Sequence, residues 1–495
     1  MRVKQNLKPG ERPAAIFAAA AFLVLVFFVS QHVNIYLWDT LHTRIFPAAF
    51  LILTFAFLLF YARSLALEAK LLLAFWLWFL ISRLLNGVEV FKREFVPVVD
   101  CGVFFLMGSV GLILNAEQRR KALNWFGGFA CGYYTLLGVI SIVCSLLRIT
   151  IINPITEKNI CEMGVQGFAR LGLLDTNPNV TSTWFFIALS MLVYFFFSCR
   201  KKLWRVPIAI AWIINYFAFT LTYCRNMKVG FSVCVAMFVM LIALKHLTLK
   251  KPWQKAAVIV LAAVIFLPLS YKSFDIPENI LSRASAAICA EREDGQEAAD
   301  LTETADAQTG MPEEPAAMPD GTIPREDSLV EGADPENNQF DDPRDFVKSL
   351  MTLSDRTQIF ESAFITLRQE PIRLLRGCSA DKIMSIAQPL LPLHNVHFHN
   401  FLLQTLVYTG LAGLAIVLVY CVLLLIRMVR CFFSEDARAG FAEKLLILPL
   451  AGLLLYNMLE PLLFNYTDFS VLFFFFLAGI FLGYSHELHP TKQKN

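Results

Sequence analysis

The sequence is poor in charge. Aspartate, glutamate, lysine and arginine make up only 17% of its 495 residues, and the formal net charge is +3. Hydrophobic residues make up 57%, including 45 phenylalanines. Because soluble domains carry about 25% charged residues, this balance excludes a soluble globular domain. We therefore expect an integral membrane protein that is embedded in a lipid bilayer and binds no nucleic acid.

Several sequence patterns are also absent. None of the eleven cysteines falls in a zinc-binding pattern. The two halves show no internal repeat and no paired spans broken by Gly or Pro, so a transporter or flippase is the weaker alternative to an enzyme. No small-residue cleavage site follows the first apolar run, so a secretory signal is not expected.

Long apolar runs are abundant. A run of about 20 residues can cross the hydrocarbon core of a bilayer as a helix. The sequence therefore predicts an all-α membrane protein with about twelve transmembrane helices. The predicted spans are 13–32, 45–62, 69–87, 96–115, 122–146, 180–199, 204–223, 228–246, 254–272, 400–427, 443–464 and 468–486.

The positions of lysine and arginine predict the orientation, because short cytoplasmic loops retain these residues. With twelve spans, one side of the membrane receives nearly all the basic segments. We place this side and both termini in the cytoplasm. The main exception is the pair Lys92 and Arg93, which falls in a predicted outer loop. The basic segments are 1–12, 117–121, 199–205, 245–255, 427–444 and the tail from 489.

Two outer loops follow from this topology. The first, 147–179, interrupts the membrane domain of spans 1 to 9 in 1–272, and the second, 273–399, precedes spans 10 to 12 in 400–495. Within the second, 291–345 holds eighteen acidic residues against three basic ones, a composition too polar to fold. We interpret it as a solvated insert. A cation-binding patch is the alternative, although the D-x-D-x-D-G spacing of a calcium loop is missing.

The segment after the insert is amphipathic, and we expect it to pack on the membrane domain. Three cysteines are predicted to lie on the outer side, so one disulfide bond is compatible with the sequence. These cysteines are Cys161, Cys289 and Cys378, and any pair among them is open.

Four arginines lie at the outer ends of spans or in outer loops: Arg83, Arg170, Arg225 and Arg356. A single arginine there can simply reach the interface or pair with a carboxylate such as Glu460 or Asp100. Several guanidiniums on one face suit a diphosphate, because its oxygens accept bidentate hydrogen bonds.

A polar cluster precedes span 10 and consists of His394, Asn395, His397, His399 and Asn400. At a membrane surface and a helix N-terminus, both a phosphate-bearing lipid and a water-soluble acceptor can reach such imidazoles. Nearby cations favour the neutral form of His399, which can act as a general base on a sugar hydroxyl. Two alternatives stay open. The H-x-x-H-x-H run can bind a metal, although it has no cysteine or carboxylate beside it, or the histidines form only interfacial hydrogen bonds.

The order of these residues resembles the O-antigen ligase and polymerase superfamily, from about 165 to 415. The chain departs from the family pattern in two places. Asn226 stands where a glycine usually follows the arginine, and the acidic insert is unusually long. The matching residues are Arg170, Gly172, Asn177 to Asn179, Arg225, Asp355, Arg356, Phe360, Glu370, Pro371, Gly377, His399, Asn400, Leu402, Gly410 and Gly413.

The resemblance implies a GT-C-like glycosyltransferase of the bacterial cytoplasmic membrane. Such enzymes move a glycan from an undecaprenyl diphosphate carrier to a glycan or glycolipid hydroxyl on the outer face, without a nucleotide sugar, cofactor or metal ion. Ligase and polymerase differ only in the acceptor, and both stay open. His399 matches the catalytic base, and three arginines match the diphosphate-binding residues: Arg170, Arg225 and Arg356. The supporting residues are expected to be His397, Asn400 and Arg83.

Overall fold

The computed structural model describes most of the predicted membrane domain and parts of the outer loops. Three predicted site residues, Arg356, His397 and His399, lie outside the described residues, as do Cys289, the acidic insert and nearly all of the predicted span 13–32. The described residues are 15–16, 18–20, 45–87, 95–152, 159–163, 170–173, 178–247, 251–288, 360, 363–369, 371–379, 382–383, 398, 400–434, 440–460 and 469–488.

Helices dominate these residues. In chain order the longer elements are α1 (Phe46–Tyr61), α2 (Leu67–Leu85), α3 (Phe95–Ile113), α4 (Ala116–Leu147), β1 (Ile151–Ile152), β2 (Asn159–Met163), β3 (Leu171–Leu173), α5 (Pro178–Ser198), α6 (Arg205–Thr220), α7 (Arg225–His246), α8 (Pro252–Lys272), α9 (Pro371–Arg376), α10 (Phe401–Phe433), α11 (Phe441–Leu445), α12 (Ile447–Leu459) and α13 (Phe469–Leu488). A further helical stretch, 275–288, follows α8.

Eight helices among the described residues are long and apolar enough to cross a membrane. Two further apolar helices, Ala48–Ser64 and Cys101–Ile113, are shorter. The prediction of a helical, multi-pass membrane protein is therefore confirmed, whereas the total of twelve spans and the orientation stay predictions. The eight helices are Ala116–Leu147, Pro178–Ser198, Lys202–Thr220, Arg225–His246, Trp253–Ile288, Phe401–Phe433, Phe441–Leu459 and Ser470–Glu487.

Aromatic side chains fill the core between α2, α3 and α13. Phe104 stacks on Phe475 with 4.9 Å between ring centroids, and the indole of Trp76 donates a hydrogen bond of 2.7 Å to the carbonyl oxygen of Val98. Such buried rings contribute both apolar area and favourable ring geometry. This packing fixes α2 against α3 and so positions the C-terminal turn of α2.

A three-stranded antiparallel sheet occupies the first predicted outer loop, with β2 between β1 and β3. The register pairs Cys161 with Ile151 on one side and with Leu173 on the other. Beyond the sheet, the backbone N–H of Leu171 donates a hydrogen bond of 2.9 Å to the carbonyl oxygen of Leu221. The sheet is thereby tied to the turn between α6 and α7. The sequence did not predict these strands, because β1 and β3 are too short to show an alternating pattern and β2 does not alternate.

Helix α10 bends sharply at Gly410, where φ is 68° and ψ is −172°. In an uninterrupted helix, residues 401 and 417 would lie about 24 Å apart, at about 1.5 Å per residue. Both Phe401 and Val417 line one cavity between α2, α3, α10 and α13, so the first arm of α10 turns away from the axis of the second. The predicted span 400–427 is therefore two helical arms rather than one straight rod.

A small second core lies against the first arm of α10. Phe398 and Val407 are fully buried in it, and the backbone N–H of Cys378 donates a hydrogen bond of 2.8 Å to the carbonyl oxygen of Val407. Ala363 and Leu367, from the segment expected to be amphipathic, are buried in the same cluster. This part of the segment 273–399 thus packs against the first arm of α10.

Candidate active site

Arg170 joins three parts of the fold at the end of the bundle where α5 and α7 begin. Its Nε donates a hydrogen bond of 3.2 Å to the carbonyl oxygen of Thr222, and its Nη2 donates one of 2.7 Å to Oδ1 of Asn179. Asn179 lies in the first turn of α5, and Thr222 lies in the turn before α7. The half-buried guanidinium is therefore held in one orientation.

Arg225 begins α7, three residues after the carbonyl that Arg170 contacts, and it is exposed. The next residue, Asn226, donates a hydrogen bond of 3.2 Å from Nδ2 to Oε1 of Glu460. Glu460 directly follows α12 and is only 6% exposed. The N-terminus of α7, which itself favours negative charge, therefore carries an exposed arginine and, at the next residue, an amide that binds a buried carboxylate.

Asn400 caps the N-terminus of α10 and anchors it to α12. Its Oδ1 accepts a hydrogen bond of 3.0 Å from the backbone N–H of Leu403, and its Nδ2 donates one of 2.9 Å to the carbonyl oxygen of Met458. Two residues before Met458, the hydroxyl of Tyr456 donates a hydrogen bond of 3.1 Å to the carbonyl oxygen of Asn179. The last turn of α12 thus connects the start of α10 with the partner of Arg170.

The thiol of Cys224 is buried near these residues, and their charges and hydrogen bonds change its pKa. Burial raises the pKa of Cys224, and the carboxylate of Glu460 acts in the same direction, while a hydrogen bond with Ser182 and the charge of Arg170 oppose it. The thiol is therefore protonated near neutral pH and is a poor nucleophile. The charges of Glu460 and Arg170 thus act in opposite directions on this buried thiol.

Arg83 is placed differently from the other arginines. Its side chain is completely buried, its Nη2 donates a hydrogen bond to the carbonyl oxygen of Tyr408, and its guanidinium lies 4.9 Å from the ring centroid of Phe79. A fully buried group of this kind cannot take a lipid headgroup without opening the fold. Arg83, which the sequence predicted as a supporting residue, thus lies buried at the bend of α10.

His399, His397 and Arg356 lie outside the described residues, but the two neighbours of His399 are described. The backbone N–H of Phe398 donates a hydrogen bond of 3.0 Å to Oε1 of Gln404, and Asn400 is anchored to α12. The chain is thus fixed on each side of position 399. Among the residues that the structure describes, no group of three or more His, Cys, Asp or Glu side chains is placed to hold a metal ion.

The chain was compared with known protein families, curated proteins and solved structures. No protein-family model matches the chain, and no curated protein or solved structure is significantly similar to it.

Sequence reasoning missed part of the polar network. Glu460 entered it only as an arginine partner, Asn226 only as a departure from a family pattern, and Tyr456 not at all. One signal was present for Glu460, since a carboxylate at the end of an apolar span is costly to bury unless it has partners. Nothing in the sequence could show that Tyr456 reaches Asn179, because 277 residues separate the two.

The cavity beside Phe401 is almost purely apolar. It is a narrow space, and α2, α3, α10 and α13 each contribute to its wall. Phe401 directly follows Asn400. The polar network that contains Arg170 and Asn400 therefore borders an apolar space on one side. Its other lining residues include Phe75, Phe104, Val417 and Phe475.

Proposed function

We propose that this protein transfers a saccharide from a polyprenyl diphosphate carrier, such as undecaprenyl diphosphate, to a hydroxyl of a glycan or glycolipid on the outer face of the bacterial cytoplasmic membrane. The observation that carries the proposal is the convergence of Arg170, Arg225 and Asn400 at one end of a membrane bundle. Two guanidiniums there can share a diphosphate, because their N–H groups match its oxygens. The order of residues that resembles the O-antigen ligase and polymerase superfamily supports the same assignment.

In this reaction His399 takes the proton of the acceptor hydroxyl. The resulting oxygen attacks the anomeric carbon of the donor sugar, and the bond between that carbon and the diphosphate oxygen breaks. Negative charge that develops on the leaving diphosphate is neutralised by Arg170, Arg225 and Arg356. One displacement inverts the anomeric configuration. The diphosphate needs no general acid, because it is already a good leaving group.

Each described residue of the polar group has a part in this scheme. Asn179 and Thr222 hold the guanidinium of Arg170, so little orientational entropy is lost when the diphosphate binds. Glu460 holds Asn226 and with it the first turn of α7, which presents Arg225. Asn400 fixes the start of α10 directly after the proposed base.

The test is a transfer assay with purified protein, a polyprenyl-diphosphate-linked oligosaccharide and a glycan acceptor. Arg170→Ala and Arg225→Ala should each lower kcat/KM at least about 100-fold, as loss of one transition-state donor typically does. Arg283→Ala is the matched control, because Arg283 is an exposed arginine in the helical stretch 275–288.

Equal rates for all three variants would contradict the proposal. A chain that instead moves the intact lipid-linked glycan across the membrane would release no free polyprenyl diphosphate. Release of that product therefore separates the transferase from a flippase. A set of acceptors that includes the growing glycan and a glycolipid distinguishes a polymerase from a ligase.

A further inference from the structure

Two cysteines from different elements meet at the junction of α4 and the sheet. Cys144 lies in the last turn of α4, and Cys161 lies in the central strand β2. Their side chains are in hydrogen-bonding contact, and both residues are 0% exposed. The sequence left one disulfide open among Cys161, Cys289 and Cys378, without a choice of pair. The structure places Cys161 against Cys144 instead, a residue assigned to a span.

The position of Cys161 in the sheet makes this contact consequential. Cys161 pairs with Ile151 of β1 and with Leu173 of β3, so its backbone holds the centre of all three strands. Its side chain leaves the sheet towards Ser141 and Cys144 on α4. The thiol contact is thus a point at which the whole sheet is attached to the bundle.

We propose that Cys144 and Cys161 form a disulfide bond that fastens the sheet to α4. The inference rests on the outward orientation of the sheet in the proposed function, because disulfides persist in oxidising compartments. It does not depend on the transfer reaction. Both residues are thiols in the structure. The bond forms by exchange with the disulfide of an envelope thiol oxidase. That disulfide is reduced to two thiols, while the two cysteine sulfurs are oxidised, lose their protons and join.

The disulfide bond must form while the protein folds, before the sheet has packed on α4. Both residues are 0% exposed once the sheet has docked, so the disulfide of an oxidase cannot reach either sulfur. Exchange must therefore precede complete packing. Once closed, the bond is shielded from reductants for the same reason.

The bond would also help to position Arg170. Arg170 directly precedes β3, and β3 is paired with the strand that carries Cys161. A sheet fastened to α4 holds the backbone of residue 171 in place, in addition to its hydrogen bond with Leu221. A disulfide between residues 144 and 161 closes a loop in the unfolded chain. It restricts the conformations of that chain and so favours the folded protein.

The test counts oxidised cysteines in the full chain taken from its native membrane. Membranes are dissolved in denaturant with excess N-ethylmaleimide, which blocks every free thiol. The chain is then reduced and treated with a polyethylene glycol maleimide, which adds one gel shift per cysteine released. We expect two shifts in the wild type and none in Cys144→Ala or Cys161→Ala. Cys378→Ala should keep both shifts, and a peptide map should show 144 linked to 161.

Absence of a shift in the wild type would overturn the proposal. Retention of both shifts in Cys144→Ala, with their loss in Cys378→Ala, would overturn it in favour of a pair that contains Cys378. Because the count is made on denatured chain without any substrate, it stands or fails separately from the transferase assay. The test remains decisive if a variant folds poorly, because the peptide map of the wild type identifies the linked pair of cysteines directly.

Discussion

The guanidinium of Arg83 donates a hydrogen bond to the carbonyl oxygen of Tyr408, two residues before the bend in α10. In an unbroken helix the carbonyls of Val407, Tyr408 and Thr409 would accept from amides four residues later. At the bend other donors serve them: the N–H of Cys378 for Val407, Arg83 for Tyr408 and, at 2.7 Å, Nε1 of Trp78 for Thr409. Helix α2 and Cys378, which follows α9, therefore hold the bend, because such carbonyls are costly to leave unpaired within a membrane protein.

Replacement of Arg83 by methionine should therefore reduce stability rather than substrate affinity. The carbonyl of Tyr408 would lose its charged donor, at a cost of about 1–3 kcal/mol, while the apolar stem of the side chain is kept. We expect a lower melting temperature in detergent and a KM for the lipid-linked donor that is unchanged per folded molecule. An unchanged melting temperature with a raised KM for the donor would instead indicate that Arg83 helps to bind the diphosphate.

A second prediction concerns the two glycines at the bend. A Cβ on Gly410 would lie 2.1 Å from the carbonyl oxygen of Leu375, and one on Gly377 would lie 2.3 Å from that of Tyr408. Both residues also have positive φ, of 68° and 81°. Gly410→Ala and Gly377→Ala should each lower the yield of monodisperse protein sharply, because backbone cannot move aside as a side chain can.

Gly132→Ala is the matched control, because Gly132 lies in α4 with nothing near its missing Cβ. Alanine there should be neutral or slightly stabilising, by about 0.5–1 kcal/mol. Size-exclusion profiles of the three variants make the comparison. Similar profiles for Gly410→Ala and Gly132→Ala would mean that α10 accepts a straight conformation.

The apolar runs predicted most helices closely, and the helix bend shows where such prediction ends. The predicted span 122–146 lies within α4, and 228–246 lies within α7, because an apolar helix must satisfy its backbone internally in a membrane. Gly410 lies in an equally apolar run, so the hydropathy of 400–427 predicts a single span. The bend depends on donors from α2, more than 300 residues earlier, which no local pattern reveals.

The same limit applies to the site. Arg170, Arg225 and Asn400 were found from their positions beside spans, and the structure brings them to one end of the bundle. Arg83 had the same sequence signature as Arg170, yet it is buried against a backbone carbonyl. Burial of one arginine and half-exposure of another depend on the packing of distant helices.

A third prediction separates charge from geometry at the two arginines. Arg170 uses Nε and Nη2 on two different acceptors, so an ammonium cannot reproduce its contacts. Arg170→Lys and Arg225→Lys should each lose at least about tenfold in kcat/KM for the lipid-linked donor, although the charge is kept. The same assay on Arg283→Lys should give the wild-type value. Full activity in both site variants would reduce these residues to interface anchors.

The account depends most directly on His399 as the base that activates the acceptor. The decisive measurement is the initial rate of glycan transfer from purified polyprenyl-diphosphate donor by His399→Ala, with His394→Ala as its control, at equal amounts of folded protein. We predict at least about a 100-fold loss for His399→Ala, as expected for removal of a general base, and a rate within a few-fold of wild type for His394→Ala. A rate near that of the wild type for His399→Ala would contradict the mechanism.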